Sequence, residues 1–307
     1  MLKIELLRFD KGDDIQSLHG LWVSTLGTNW PIGKDVFENL ILDSRYKKLT
    51  SILVARIDKK IVGVAVFQER EDKILAEIML ILVYKDYQRE GVGRKLLESV
   101  VQKLKADKIK KVQLGGGGYS YFWPGVPSNL PNVSNFFKKN DWEFTETCVD
   151  MVLDLSDYKT PNLYDNKLPK NIKIVSASIL SKDEILTFEK NNFPNWFNYF
   201  EKEIERKHFD KIILAKENNR IVGTTLISED KKWDKILSSP IGTIGAIGVE
   251  EKNRGRGIGS AMMSYSLEKL KQEKFKTVYL GWTYLKDWYE KLGFKMWRKY
   301  HMAWKDI

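Results

Sequence analysis

The chain repeats itself at a fixed spacing, and that repeat limits the fold more than any other feature. Val83 and Val249, Gly91 and Gly257, and Val112 and Val278 each stand 166 residues apart. Each triplet marks the same local order: an apolar run, a polar turn with Gly-x-Gly, and a second short apolar run. Upstream, residues 52–66 and 212–226 each read as an apolar run, a polar turn and another apolar run, the pattern of a hairpin. After each Gly turn the apolar residues recur at helical spacing: Val92, Leu96, Leu97, Val100, Val101 and Leu104 in one copy, Ile258, Met262, Tyr265 and Leu270 in the other. Coincidence at so many landmarks points to duplication. The halves are expected at residues 1–156 and 171–307, joined by a linker over 157–170 that carries Pro161, Asn162, Asn166 and Pro169. The second half restarts with a strand at Ile172–Val175 and a capping box, Ser181-x-x-Glu184, opening a helix. The first starts alike, with a strand at Ile4–Leu7 and a helix from about Asp13.

The 307 residues suit two domains. One cysteine, Cys148, allows no intrachain disulfide, and with only three histidines a structural zinc site is not expected. No run approaches the roughly 18 apolar residues of a membrane span, and the N-terminus is charged too early for a secretory signal. A cytoplasmic protein without a membrane partner is therefore expected. The net charge of +10 favours anionic ligands, but the lysines are interleaved with acids, which argues against a nucleic-acid partner.

A strand that ends in Arg254-Gly255-Arg256-Gly257-Ile258-Gly259 and runs at once into a helix has a specific capability. The first amides of a helix lack internal acceptors, and its N-terminus carries partial positive charge. Glycine lets the backbone approach a ligand, so the turn can cradle a pyrophosphate. A P-loop would need Gly-Lys-Ser/Thr, which neither turn has. A dinucleotide fold would place its Gly turn after the first strand, not the fourth.

This motif, in this order of elements, resembles the GNAT superfamily of N-acetyltransferases, over essentially the whole chain and twice. In that family Arg/Gln-x-x-Gly-x-Gly/Ala follows strand four. The second half matches it fully; the first, Gln88-Arg89-Glu90-Gly91-Val92-Gly93, has Arg89 where the first glycine is usual. The closing motif Trp288-Tyr289-Glu290-Lys291-Leu292-Gly293-Phe294 also matches, with Phe136-Phe137-Lys138-Lys139-Asn140-Asp141-Trp142 as its degraded counterpart. The two-copy layout is similar to that of tandem members such as mycothiol synthase. The resemblance implies an α/β (α+β) chain of two tandem domains, each a mixed, mostly antiparallel central sheet flanked by helices.

It further implies an acyltransferase that moves an acetyl group from acetyl-CoA to the amine of a small molecule by direct attack on the thioester, without a metal. The cofactor would lie against Ile247, Gly248, Val249, Arg254, Gly255, Arg256, Gly257, Ile258, Gly259 and Ser260 in the second half. In the first half it would meet Val83, Gln88, Arg89, Gly91, Gly93 and Arg94. An amine attacks only when neutral, so a proton acceptor is needed, and the departing thiolate benefits from a donor. Tyr289 stands where the family's tyrosine protonates the thiolate. Glu77, inside the apolar run from Ile74 to Val83, stands where some members that act on histones carry a base; the alternative is a carboxylate on a solvated sheet face. Its counterpart, Thr243, cannot act as a base, so neither half has both groups. The fuller motif favours the second half as the catalytic copy. A CoA-binding protein with one or both sites inactive is the alternative, and a transferase acting on tRNA-linked substrates is a third reading, disfavoured by the Gly turn. Aromatic stretches at 28–31 and 193–200, and a glycine-rich insertion at 115–127, are candidates for an acceptor lid, a sugar-stacking surface or packing between domains. The oligomeric state is left open.

Overall fold

The structure is a computed structural model that describes residues 2–7, 12–42, 49–116, 121–159 and 168–307. Gly117, Gly118, Tyr119 and Ser120 of the insertion and 160–167 of the linker lie outside the described residues. Two compact units form: Met1–Val149 together with Arg298–Ile307, and Asp150–Trp297.

The elements of the first half are β1 (Lys3–Leu6), α1 (Gly12–Leu26), α2 (Lys34–Leu42), β2 (Thr50–Ile57), β3 (Lys60–Glu69), β4 (Leu75–Val83), α3 (Val92–Ala106), β5 (Lys111–Leu114), β6 (Val126–Pro127), α4 (Pro131–Lys138) and β7 (Glu146–Asp154). The second half supplies β8 (Ile172–Ser176), α5 (Lys182–Asn192), α6 (Phe197–Glu205), β9 (Ile212–Glu217), β10 (Arg220–Asp230), β11 (Ile241–Val249), α7 (Ile258–Gln272), β12 (Thr277–Thr283), α8 (Lys286–Glu290), β13 (Lys295–Met302) and β14 (Trp304–Asp306).

Both hairpins form as the sequence predicts. Asp58-Lys59 turns β2 into β3 and Asn218-Asn219 turns β9 into β10, all four residues with positive φ. That matches the right-handed twist of the flanking strands. In the first unit the sheet order is β1-β2-β3-β4-β5-β14. In the second, β12-β11-β10-β9-β8 carries the Asp150–Asp154 part of β7 beside β12. Only β4/β5 and β11/β12 pair in parallel among the registers described. Each sheet is thus mixed and mostly antiparallel, with helices on its faces.

The partition departs from the sequence halves at the last strands. The edge strand β5 would leave its backbone unpaired; β14, from the far end of the chain, pairs with it through Trp304↔Gln113 and Asp306↔Lys111. β13 likewise pairs with β6 through Tyr300↔Pro127.

Helical periodicity is read correctly in α3, where Val92, Leu96, Leu97, Val100 and Leu104 are buried. In α7 the buried stripe is Ile258, Met262, Met263, Leu267 and Leu270, with Ser266 among them, while Tyr265 is exposed. The small serine, not the tyrosine, fits against the sheet. The expected capping box does not form. Ser181 makes no side-chain cap, and Glu184 instead accepts from the Ile221 amide at 2.8 Å and Lys216 Nζ at 3.1 Å. Among the described residues no helix is long and apolar enough to cross a membrane, and no cluster of His, Cys, Asp or Glu could hold a metal.

Candidate active site

In the second unit the parallel ladder between β11 and β12 stops at Thr243↔Tyr279, yet β11 runs on to Val249. The two strands therefore part into a wedge. On the other side of β11, Leu226 pairs with Gly245 and Thr224 with Gly248, so Ala246 and Ile247 together oppose Thr225. This is a bulge, and Ala246 has φ +49°. Bulges leave ladder amides unpaired and aim them elsewhere.

β11 ends in the Gly turn. Gly255 (φ +77°) and Gly257 (φ +80°) both occupy the left-handed region, where a side chain would strain the backbone. The Arg254 guanidinium folds back, its Nε donating to the Val249 carbonyl at 3.1 Å. Arg256 is pinned by Glu217 at 2.7 Å and by Asn253, and its guanidinium holds the Glu217 carboxyl below the usual range. The first bond of α7 runs from Ala261 N to Gly257 O, and no side chain caps the helix. The amides of Ile258, Gly259 and Ser260 thus lie within the uncapped first turn. A Cβ at Gly255 would meet nothing within 4 Å, so the turn borders open space. The residues fit a pyrophosphate.

α8 closes the site from beside α7. Trp288 lies 3.7 Å from the Cβ position of Gly259, and Tyr289 is buried between Trp288 and Phe294. Burial pushes the Tyr289 hydroxyl far above its ordinary pKa, so it stays protonated.

One residue escaped the sequence reading. Glu189, on the inner face of α5, is fully buried. Its Oε1 accepts from the Thr224 hydroxyl at 2.5 Å, while its Oε2 has no partner among the described residues. Burial raises its pKa to about 8, against the lowering effect of Thr224. Thr224 pairs with Gly248 beside the bulge. One helical turn further, Phe193 packs so closely on Gly248 that a Cβ there would meet its ring at 2.4 Å, and Trp196 stacks on Phe193 at 4.9 Å. The available signal was a glutamate following Ile185 and Phe188 on an apolar stripe.

The first unit keeps the geometry with different side chains. The β4/β5 ladder stops at Ile78↔Leu114, and β4 bulges at Met79, since Val66 pairs with Leu80 and Phe67 with Ile78. Gln88 Nε2 donates to the Val83 carbonyl at 2.9 Å, as Arg254 does to Val249. Gly91 (φ +81°) caps α3, whose first bond runs from Lys95 N to Gly91 O, and Gly93 sits under Phe136. Arg89 nevertheless holds φ +67° where Gly255 stands. Exposed Glu90 replaces Arg256, and Arg94, where Ser260 stands, pairs with Glu98. Phe137 takes the place of Tyr289: Trp142 N bonds Phe137 O, as Phe294 N bonds Tyr289 O. The wedge of this unit is an apolar cavity of about 70 Å³ lined by β4, Leu114, Trp123, Val126 and Phe137.

Glu77 does not face water. It is 1% exposed, its Oε1 accepting from Arg70 Nε at 2.8 Å while Oε2 has no partner among the described residues. Burial raises its pKa and Arg70 opposes the rise. Among the described residues of the insertion, Phe122 and Trp123 do not form a lid but are buried. Trp22, Trp30, Phe122 and Trp123 are buried against one another, Trp22 stacking on Phe122 at 4.9 Å and on Trp123 at 5.3 Å. The four rings are core of the first unit, because apolar rings of this size gain most by leaving water.

The sequence profile of the acetyltransferase (GNAT) family matches residues 17–117 and again 178–294. No curated protein matches the chain in sequence. Among solved structures, a glucosamine N-acetyltransferase region related to GCN5, from a fungal multi-domain GH3 β-N-acetylglucosaminidase, superposes with a TM-score of 0.91 at 27% identity. That match covers 99% of this chain, which spans only 38% of the fungal chain. A GCN5-related N-acetyltransferase from Sphaerobacter thermophilus gives a TM-score of 0.74 at 16% identity, covering 99% and 95% of the two chains. A tandem GNAT protein of the clavulanic acid biosynthesis pathway gives 0.73 at 14%, covering 100% and 98%; these last two show the fold. The doubled profile match covers well over half the sequence, and with the doubled Gly turn and wedge it establishes the chain as a tandem acetyltransferase of the GNAT family.

Proposed function

We propose that the second unit is an acetyl-CoA-dependent N-acetyltransferase site whose acceptor is the amine of an amino sugar. The uncapped first turn of α7 behind two left-handed glycines carries the cofactor reading. The fungal region, named for glucosamine, supports the acceptor, since its likeness runs over almost all of this chain. When bound, acetyl-CoA supplies an acyl group activated as a thioester. The amides of Ile258, Gly259 and Ser260, with Gly255 and Gly257, hold the pyrophosphate. Arg254 and Arg256 add positive charge beside it. Ile247, Gly248 and Val249 line the wedge, where amides freed by the bulge would stabilise the charge that develops on the oxygen of a bound thioester. Glu189 Oε2 accepts the amine's proton, and Tyr289 donates a hydrogen bond to the departing sulfur. The first unit offers a weaker second cradle at Val83, Gln88, Arg89, Gly91, Gly93 and Arg94, with Glu77 as its candidate proton acceptor.

Calorimetry with acetyl-CoA and thiol release in the presence of glucosamine test this. Binding with turnover is expected. Binding without turnover on any amine would leave a CoA-binding protein, and no binding would overturn the assignment.

A further inference from the structure

Two non-glycine residues with positive φ flank the wedge of the second unit: Ala246 (φ +49°) in β11 and Trp282 (φ +54°) near the end of β12. For tryptophan this conformation is rare and strained. It persists only where the surroundings impose it, and here they do. Asp150, fully buried, spends both carboxylate oxygens beside this strand: Oδ1 accepts from the Trp282 amide at 2.9 Å and Oδ2 from the Tyr279 hydroxyl at 2.9 Å. A buried carboxylate is itself expensive, so two unfavourable features are maintained to hold one peptide.

What they hold is an aromatic surface. The Trp282 ring is half-buried, and its Nε1 donates to the hydroxyl of Tyr284 at 3.3 Å; Tyr284 is 50% exposed. Both residues follow Tyr279, the last residue paired with β11, and so stand on the open arm of the wedge. The corresponding position of the first half, 166 residues earlier, is Gly116, so the first unit has no such ring.

We propose that Trp282 and Tyr284 form the platform on which the pyranose ring of the amino-sugar acceptor rests, and that Asp150 is the positioning residue that fixes it. The inference rests on the second unit being the acetyltransferase site. An aromatic face suits one face of a sugar, whose C–H groups are apolar, and the Tyr284 hydroxyl and Trp282 Nε1 supply polar edges for its hydroxyls.

The test compares Trp282→Ala, Trp282→Phe and Trp282→Gly with the wild type. Measurements are acetyl-CoA affinity, KM and kcat for glucosamine, direct calorimetric binding of glucosamine, and Tm. Trp282→Ala is expected to raise KM and the glucosamine Kd about tenfold, the loss expected for one stacking contact. Acetyl-CoA affinity and kcat should hold, and Trp282→Phe should recover most of the loss. Trp282→Gly should melt above Trp282→Ala, because glycine tolerates the left-handed peptide, yet bind glucosamine as poorly as the alanine variant. Asp150→Asn should raise KM in the same sense. Unchanged KM and Kd in Trp282→Ala would overturn the platform while leaving the acetyltransferase site intact. A wild type that binds acetyl-CoA and acetylates other amines but does not bind glucosamine would overturn both the platform and the acceptor assignment. Loss of acetyl-CoA binding alone is the failure of the cofactor site, and glucosamine calorimetry still decides the platform in that case.

Discussion

Each unit buries one glutamate with one oxygen held and the other without a described partner, but the two come from different elements. In the first unit Glu77 sits on β4 and is held by Arg70 at 2.8 Å. In the second, Glu189 hangs from α5 and is held by Thr224 at 2.5 Å, while the strand position matching Glu77 is Thr243. A cation beside a carboxyl favours its charged form; a hydroxyl does so much less. Glu189 is therefore the better-tuned proton acceptor near neutral pH, with a pKa of about 8. Where the first unit has a charge-paired strand carboxyl, the second has a helix carboxyl on a neutral support. The Gly turns teach the complementary lesson: their backbone angles agree within about ten degrees although Arg89 and Glu90 stand where Gly255 and Arg256 do. Backbone geometry survives duplication more readily than side-chain chemistry.

The largest effect that would break this contrast is expected from Gly257→Val. A branched side chain at φ +80° forces the turn to rearrange, and acetyl-CoA-dependent turnover should fall below detection, whereas Gly91→Val should leave turnover with glucosamine close to wild type. Equal losses in the two variants would show that both units take part in chemistry. Next, Glu189→Gln should lower kcat roughly 100-fold, the range of a lost general base, and Glu77→Gln much less. A pH–rate profile should rise toward pH 8 in the wild type and shift upward in Thr224→Val, which loses the bond that favours the carboxylate; an unshifted profile would free Glu189 from the mechanism. Tyr289→Phe should cost about tenfold in kcat with acetyl-CoA affinity retained, the size of a lost hydrogen bond to a developing charge. Wild-type kcat would make Tyr289 a packing residue like Phe137.

The smallest effect is on stability. The folded pKa of Glu189 lies above its unfolded value of 4.5, so its contribution is complete below pH 4.5 and is lost as pH rises through about 8. Between those limits stability should fall with pH, by about 5 kcal/mol at most, with Tm falling alongside, and Glu189→Gln should flatten the slope. A slope unchanged by the substitution would mean that the carboxyl is ionised in the folded protein.

Much of this was legible in the residues. The repeat, the hairpin turns and the Gly turns are local, and spacing and glycine placement encode them directly. Glu77 was visible because a charge interrupts an apolar strand. Glu189 was not, because polar positions in a helix are ordinary, and only the tertiary fold shows that this one faces Thr224. The aromatic insertion misled for a related reason: composition marks Phe122 and Trp123 as large apolar surfaces but not what covers them, and in the fold it is Trp22 that does. The left-handed Trp282 leaves no trace in sequence at all, since its amide is held by Asp150 from a strand 132 residues away.

The pairing of β14 with β5 also sets an order of events during synthesis. Everything needed for the hairpins, the Gly turn and α3 of the first unit leaves the ribosome early, but the strand that finishes its sheet comes from residues 304–306. The nascent first unit must wait, with the β5 edge bare, while the residues of the second unit, Asp150–Trp297, are made. Of the two units, the one whose first strands are made earlier therefore closes its sheet later, and it is the one that gains most from a chaperone's cover in the interval.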